Sequence, residues 1–170
     1  MNYSKHLILY SGGADSTFFI ENEPTATHLI HYSGLNTDQT KIAVINANIL
    51  NRYITVESLT GDSPTKDGET NAIHALYDTQ MAITAGIKAQ SFGMKGIVLC
   101  FNRDDIGINV KAVTEILQSA DPAFEVLEPL RKTTAKAVRS KLKTSNSKLK
   151  TVSCMFSTDC GFCAKCKRGY

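Results

Sequence analysis

An apolar strand, a pair of glycines and a helix start follow one another near the beginning of the chain. Residues 7–10 are largely apolar, Gly12 and Gly13 come soon after, and a helix pattern begins at Ala14. Because glycine has no Cβ, the backbone can turn tightly here and come close to a ligand. The hydroxyl groups of the segment belong to Ser11, Ser16 and Thr17. Together with the unpaired N–H groups of the helix start, they predict a cradle for phosphate or pyrophosphate.

Strand and helix patterns alternate along the chain. The predicted strands are residues 6–10, 27–33, 53–59, 96–101 and 124–127. The predicted helices are residues 14–22, 37–50, 72–92, 109–119 and 133–142. This alternation predicts an α/β fold with a mostly parallel sheet, in which ligands bind beyond the carboxyl ends of the strands. The segments that fall at that edge are residues 11–16, 32–36 and 102–105.

Three segments carry more specific expectations. The run at residues 96–101 is continuously apolar, which is typical of a strand buried on both faces of a parallel sheet. Residues 61–70 are polar and are predicted to form a loop. The helix at residues 37–50 is expected to use an apolar face formed by Ile42, Val44, Ile45, Ile49 and Leu50.

The length of 170 residues fits one domain with a core of its own. No apolar run approaches the roughly 20 residues that a membrane helix needs. The first residues also lack the apolar stretch and cleavage site of a signal peptide. We therefore expect a cytoplasmic protein without a membrane partner.

The net charge of the chain is +3, but acidic and basic side chains are distributed unevenly along it. Residues 1–130 carry 8 basic and 15 acidic side chains, whereas residues 131–170 carry 11 basic and 1 acidic side chain. A basic segment of this kind can bind nucleic acid or an anionic ligand. A solvated helix face between Arg131 and Lys150 accounts for the same pattern. We favour the solvated face, which requires no nucleic acid.

Four of the five cysteines lie together near the end of the sequence, at Cys154, Cys160, Cys163 and Cys166. The close spacing of four soft ligands and the glycine that follows the second cysteine favour a tetrahedral zinc site. An iron–sulfur cluster, which takes the same ligands, and disulfides are the alternatives. Four thiolates leave no open position on zinc, so the expected metal is structural. Cys100 stands apart in an apolar strand and is expected to be an inert core residue.

The string Ser-Gly-Gly-x-Asp-Ser at residues 11–16 has neither the lysine of the Walker loop nor the spacing of the dinucleotide fingerprint. It resembles the loop of the PP-loop ATP pyrophosphatases, whose fold is Rossmann-like (adenine nucleotide alpha hydrolase-like). Members of that superfamily cleave ATP between its α and β phosphates and transfer AMP to an acceptor. The resemblance implies the same use of ATP here.

The loop and the cysteine tail together resemble the 7-cyano-7-deazaguanine synthases, the QueC family. The likeness is strong at both ends of the chain and topological between them, and it includes the segment 128–130 before a lysine-containing helix. It implies a PP-loop ATP-binding α/β domain over residues 1–150 and a zinc knuckle over residues 151–170, packed on the same domain. It also implies an ATP-dependent carbon–nitrogen ligase that is able to form a homodimer.

The resemblance assigns roles to individual residues. The ATP phosphates would lie on Tyr10, Ser11, Gly12, Gly13, Ala14, Asp15, Ser16 and Thr17. The catalytic set would be Ser11, Asp15, Ser16 and Lys136. Mg²⁺ would bridge the phosphates beside Asp15, and Lys132, Lys136 and Arg131 are candidates to neutralise the leaving pyrophosphate. The acceptor would be the deazapurine carboxylate 7-carboxy-7-deazaguanine, which is converted with ammonia to the amide and then to the nitrile.

The chain departs from the QueC pattern around the substrate. Tyr77-Asp78 stands near the family's Arg-Asn pair, and the family's stretch after the acid at Asp105 is missing. The lysine of the basic helix is one position late, at Lys136 after Ala135. Two alternatives therefore stay open. One is a PP-loop tRNA-modifying enzyme of the thiolation type, and the other is a nucleotide-binding relative with a different acceptor or no catalysis.

Overall fold

The chain alternates strands with helices, as the sequence predicts. The computed structural model describes residues 1–34, 36–58, 71–105, 108–145, 147–154, 160, 161 and 166, with residues 71–75 described by their backbone alone. The strands are β1 (His6–Leu9), β2 (His28–Ser33), β3 (Tyr53–Ser58), β4 (Gly96–Val98) and β5 (Glu125–Leu127). The helices are α1 (Ala14–Asn22), α2 (Thr37–Ile49), α3 (Asn71–Ser91), α4 (Val110–Gln118) and α5 (Ala135–Thr144).

The strands form a parallel sheet in the order β3-β2-β1-β4-β5. In the central strand, Leu7 is in register with His28 of β2 on one side and with Ile97 of β4 on the other. The predicted α/β fold with a parallel sheet is therefore confirmed, and the strand order matches the first five strands of the Rossmann order 3-2-1-4-5-6. The connections diverge between β1 and β4. This is the switch point at which such sheets bind ligands.

Helices cover both faces of the sheet because successive strand side chains point to opposite faces. Ile8 of β1 and Val98 of β4 face one core, which α1 and α2 complete through Phe19 and Ala43. A second core lies on the opposite face, between the sheet and helices α3 and α4. Helix α5 packs on α1. The result is three layers, with the carboxyl ends of the strands left at one edge.

The central strands are buried as expected, but β4 is shorter than the apolar run. Ile97, Val98 and Leu99 have no exposed surface, which agrees with burial on both faces. Leu99 N still donates to Leu127 O at 2.8 Å. The other neighbour of β4 is β1, which has already ended at Leu9 and is followed by the glycine segment. The hydrogen-bond ladder between β4 and β1 therefore stops there.

The predicted apolar face of α2 is wrong for Ile45 and Ile49, although Leu50 does pack against the core. The buried residues of this helix are Ala43, Asn46 and Ala47, whereas Ile45 and Ile49 are 48% and 51% exposed. Small and polar side chains are needed on the buried face because the glycine segment comes very close to it. A Cβ at Gly12, for instance, would lie 3.5 Å from the Cβ of Ala43.

Helix α5 begins slightly later than predicted because Thr134 is its cap. The Thr134 hydroxyl accepts from Ala137 N at 3.2 Å, which satisfies an N–H of the first turn. The loop predicted at residues 61–70 lies outside the described residues. Among the helices described, none is both long and apolar enough to cross a membrane.

Candidate functional site

The segment between β1 and α1 forms a tight loop that requires glycine at Gly12. Gly12 has φ +78°, and a Cβ there would lie 2.9 Å from the backbone oxygen of Gln39. Gly13 is the cap residue of α1 and offers the helix no side-chain oxygen. The start of α1 therefore has no capping side chain from its own N-cap residue, and it lies at the switch point of the sheet. That arrangement suits a phosphate group.

Two serine hydroxyls hold this loop closed. Ser11 Oγ lies 3.0 Å from Ser16 Oγ, and Ser16 Oγ also accepts from Ser11 N at 3.2 Å. Gly13 N donates to Ser11 Oγ at 3.2 Å. Ser11 is exposed, whereas Ser16 is only 3% exposed. Ser11 therefore lies at the surface of the loop, and Ser16 fixes the loop from within.

Tyr10 and Thr17 lie beneath the loop rather than on it. Tyr10 is 1% exposed and its hydroxyl lies 3.1 Å from Thr17 Oγ1. Asn46 of α2 donates its side-chain N–H to the same tyrosine oxygen at 2.8 Å. Burial raises the pKa of Tyr10, against a smaller opposite effect of these hydrogen bonds. The Tyr10 phenol therefore stays neutral and supports the loop from below.

A buried histidine fixes the backbone at the start of the loop. His31 Nδ1 lies 2.9 Å from the carbonyl oxygen of Tyr10, so this nitrogen must carry the proton and donate. Nε2 then accepts from the Thr40 hydroxyl at 2.9 Å. Burial lowers the pKa of His31, which keeps the ring neutral. The imidazole thus joins β1 to α2 beside the candidate phosphate site.

Asp15 is the second residue of α1 and lies in its first turn. Its charge, together with the larger effect of burial, raises the pKa of the Cys100 thiol. The Cys100 thiol therefore stays protonated at neutral pH, as expected of an inert core cysteine. Asp15 lies two residues after Gly13, at the start of α1 that follows the glycine pair.

The turn after β4 stabilises α5 at the same edge of the sheet. Asn102 Oδ1 accepts from Asp104 N at 2.7 Å, and Asn102 N donates to Asp105 Oδ2 at 2.9 Å. Asp104 Oδ2 in turn accepts from Ala135 N at 2.9 Å at the start of α5. Arg131 donates to the carbonyl oxygen of Asn102 at 3.0 Å. These hydrogen bonds hold the turn after β4 and the start of α5 together at the carboxyl edge of the sheet.

The predicted basic residues differ in how freely they can reach a ligand. The guanidinium of Arg131 is occupied by backbone carbonyls and lies 3.8 Å from Glu128 Oε1. Lys132 and Lys136 are exposed, and Lys136 lies in the first turn of α5. Lys132 and Lys136 are therefore more accessible than Arg131, while the predicted catalytic role of Lys136 stays a prediction.

The cysteines form a cluster that fits a metal. The sulfur atoms of Cys154, Cys160 and Cys166 all lie within 4.8 Å of one another. Cys160 Sγ and Cys166 Sγ are 3.9 Å apart, close to the edge of about 3.8 Å expected for a tetrahedron with zinc–sulfur bonds of about 2.3 Å. Cys163, the fourth predicted ligand, lies outside the described residues. The three described thiols match the soft ligand set of zinc.

The sequence motifs did not identify the polar residues that bring the cluster to the loop. Gln39 donates its side-chain N–H to Val152 O at 2.9 Å, and Asn36 donates to Cys154 O at 2.7 Å. Ser153 Oγ accepts from Ala14 N at 3.4 Å. The available signal was weak: Ser153 directly precedes a predicted ligand, and Asn36 is a favourable cap residue before α2.

Comparison with known proteins adds a fold-level similarity only. No family model and no curated protein matches the sequence. Among solved structures, the chain is similar to the crystal structure of a predicted subunit of tRNA methyltransferase from Methanocaldococcus jannaschii. The two share 17% identity and a TM-score of 0.49, over 81% of this chain and 73% of that one. Similarity at this level carries no argument about function.

Proposed function

We propose that this chain is an ATP-dependent ligase that adenylates a carboxylate at the loop of residues 11–17. The observation that carries the proposal is the bare glycine start of α1 at the switch point between β1 and β4. In parallel sheets this position binds the phosphates of nucleotides. The loop resembles that of the PP-loop ATP pyrophosphatases, which supports cleavage of ATP between the α and β phosphates.

The electrostatics of the loop favour a magnesium nucleotide over a free anion. The N-terminus of α1 carries partial positive charge that attracts phosphate. Asp15, in the first turn of the same helix, would repel a phosphate unless a cation lies between them. Mg²⁺ binds through one or two carboxylates and the phosphate oxygens of a nucleotide, and this fits a single acidic side chain. Asp15 is therefore the proposed magnesium anchor.

The proposed reaction uses two molecules of ATP for each product. The carboxylate of 7-carboxy-7-deazaguanine attacks the α phosphate, and pyrophosphate leaves. Ammonia then displaces AMP to give the amide. The amide oxygen is adenylated by a second ATP with release of pyrophosphate, and loss of AMP leaves the nitrile, 7-cyano-7-deazaguanine. The protein contributes mainly by holding the groups in place and neutralising charge.

The cysteine cluster has a structural part in this proposal. A zinc ion held by thiolates in a closed tetrahedron has no open position for substrate. Its three described ligands follow a segment that bonds to the loop itself, through Val152 N and Gly12 O at 3.0 Å. We therefore assign the zinc to folding of the tail against the nucleotide site.

The test is incubation with ATP, Mg²⁺, ammonium and 7-carboxy-7-deazaguanine, followed by mass analysis. The expected products are AMP, pyrophosphate and the nitrile, with two AMP formed per nitrile. Asp15→Asn should lower AMP formation by about 100-fold or more. Glu115→Gln removes one charge from an exposed position on α4 and should leave it unchanged. ATP binding without AMP formation from this carboxylate would overturn the ligase assignment.

A second candidate, a PP-loop tRNA-modifying enzyme, is favoured by the basic segment at residues 131–150. No acidic residue occurs between Pro129 and Cys154. The exposed basic side chains of this stretch are Arg131, Lys132, Lys136, Lys141, Lys143, Lys148 and Lys150. AMP formation that requires tRNA, with retention of tRNA that weakens steeply as salt is raised, would support this candidate over the first.

A further inference from the structure

Residues 150–154, called the tether here, run along the nucleotide loop before they reach the cysteine cluster. Lys150 is held from both sides by Asn46, whose side chain donates to Lys150 O at 2.7 Å and accepts from Lys150 N at 3.2 Å. Val152 N donates to Gly12 O at 3.0 Å, and Gln39 donates to Val152 O. The tether is thus bonded to α2 and to the loop along its length.

Within the tether, Ser153 occupies the position from which the start of α1 would be capped. Its hydroxyl oxygen accepts from Ala14 N at 3.4 Å, and a Cβ at Gly13 would lie 3.6 Å from the same oxygen. The bond to Ala14 is long, so it is weak. A hydroxyl can rotate to donate as well as accept. Ser153 can therefore turn its proton toward a phosphate oxygen placed at this helix start.

At the metal end, one side-chain amide holds the tether and caps a helix at the same time. Asn36 is 3% exposed, and its Oδ1 accepts from Asp38 N and Gln39 N in the first turn of α2. Its Nδ2 donates to Cys154 O at 2.7 Å. A metal bound by Cys154 is therefore attached through one peptide to Ser153 and through one hydrogen bond to α2.

We propose that Ser153 is a phosphate-positioning residue of the nucleotide site and that metal binding by the cysteine cluster strengthens nucleotide binding through the tether. The inference rests on the proposed function, since it requires a nucleotide at the loop. Metal binding fixes Cys154, and the tether then holds the Ser153 hydroxyl and the Gly12 carbonyl in one arrangement. Because such coupling is reciprocal, a bound nucleotide must raise the metal affinity by the same factor.

The role of Ser153 is tested by comparing ligands with and without phosphate. Binding of Mg-ATP and of adenosine to the zinc-loaded protein is measured by calorimetry. Ser153→Ala should weaken Mg-ATP about tenfold and leave adenosine unchanged, because only the phosphate contact is lost. Ser153→Thr keeps the hydroxyl and should restore most of the affinity. Ser4→Ala removes the same hydroxyl from an exposed position outside the loop and the tether, and it is the control, with no effect on either ligand.

The coupling is tested with a substitution that separates the capping bonds of Asn36 from its bond to Cys154. Asn36→Asp keeps an oxygen to cap α2, since aspartate caps as well as asparagine, but removes the donor to Cys154. It should weaken both zinc and Mg-ATP by about fivefold or more, the lower range of such couplings. Asn48→Asp makes the same change of charge at an exposed position of α2 and should leave both affinities unchanged.

The outcomes distinguish this inference from the proposed function. Failure of the unaltered, zinc-loaded protein to bind Mg-ATP would overturn the proposed function and, with it, the inference. Normal Mg-ATP binding that is identical with and without zinc, and unaffected by Asn36→Asp, would overturn the coupling alone. Equal losses of Mg-ATP and adenosine in Ser153→Ala would show a purely structural serine and overturn its phosphate role.

Discussion

Val152 N donates to the carbonyl oxygen of Gly12 at 3.0 Å, so the two sequence motifs at opposite ends of the chain meet in one place. The glycine loop follows the first strand, and the cysteine tail follows the last helix. Each motif alone has a simple interpretation, as a phosphate cradle or as a metal site. Their contact means that the candidate metal centre is part of the surroundings of the candidate nucleotide site.

Gly12→Ala should destabilise the protein and abolish nucleotide binding. Its φ of +78° is unfavourable for alanine, by about 1–2 kcal/mol, and the new Cβ would meet the Gln39 carbonyl at 2.9 Å. Gly93→Ala is the matched control, because Gly93 also has positive φ, of +66°, but no described atom within 4 Å of the added Cβ. Urea unfolding measures both, and an equal loss of stability would contradict the close approach at Gly12.

Tyr10→Phe should lower the free energy of unfolding by about 1–3 kcal/mol, because the buried polar groups of Thr17 and Asn46 each lose a hydrogen-bond partner. Tyr53→Phe removes the same hydroxyl from a side chain that is 81% exposed and should be nearly neutral. Chemical denaturation of the two variants gives the comparison. A neutral Tyr10→Phe would mean that this hydroxyl does not support the loop.

Removal of a cysteine ligand should lower zinc content and thermal stability together, because structural metal binding is coupled to folding. Cys166→Ser tests this at one of the three described sulfurs, and Cys163→Ser tests the fourth predicted ligand. Cys100→Ala should lower thermal stability while zinc stays stoichiometric, since Cys100 packs against the core. Metal analysis and thermal unfolding are the measurements, and unchanged zinc affinity in Cys166→Ser would refute its assignment as a ligand.

Stability should fall in acid partly through Glu125. The hydrogen bond from His6 at 2.8 Å, aided by Lys95, holds the pKa of Glu125 below its usual value. A lowered pKa in the folded state stabilises the protein above the unfolded value of about 4.3, and this contribution is lost as the pH falls through the folded value.

Glu125→Gln removes that dependence. Between roughly pH 6 and pH 3, across the unfolded carboxyl value, the variant should lose less stability than the unaltered protein. Glu115→Gln, at a glutamate whose side chain is 65% exposed, should follow the unaltered protein. Parallel pH profiles for Glu125→Gln and the unaltered protein would show that the pair with His6 does not contribute.

Local patterns predicted much of this protein because their causes lie within a few residues. Helix α1 begins at Ala14 and ends at Asn22, as predicted, since the glycine pair and a proline punctuate it. The parallel α/β sheet follows from strands alternating with helices. The proximity of the three described cysteines follows from their short spacing, because Cys154 and Cys166 are only 12 positions apart in the sequence.

The tertiary structure alone decided what surrounds the loop. The sequence predicted an apolar face of α2 that includes its isoleucines. Ala43 and Asn46 are buried instead, because the glycine loop and the tether pack against the face of α2 that carries them. Asn36 reaches Cys154 across 118 positions of sequence. Such a bond leaves no periodic signal, because each partner is an ordinary polar residue until the fold excludes water from both. The sequence thus determined the glycine loop and the close spacing of the cysteines, whereas the fold determined that the segment before the cysteines contacts the loop.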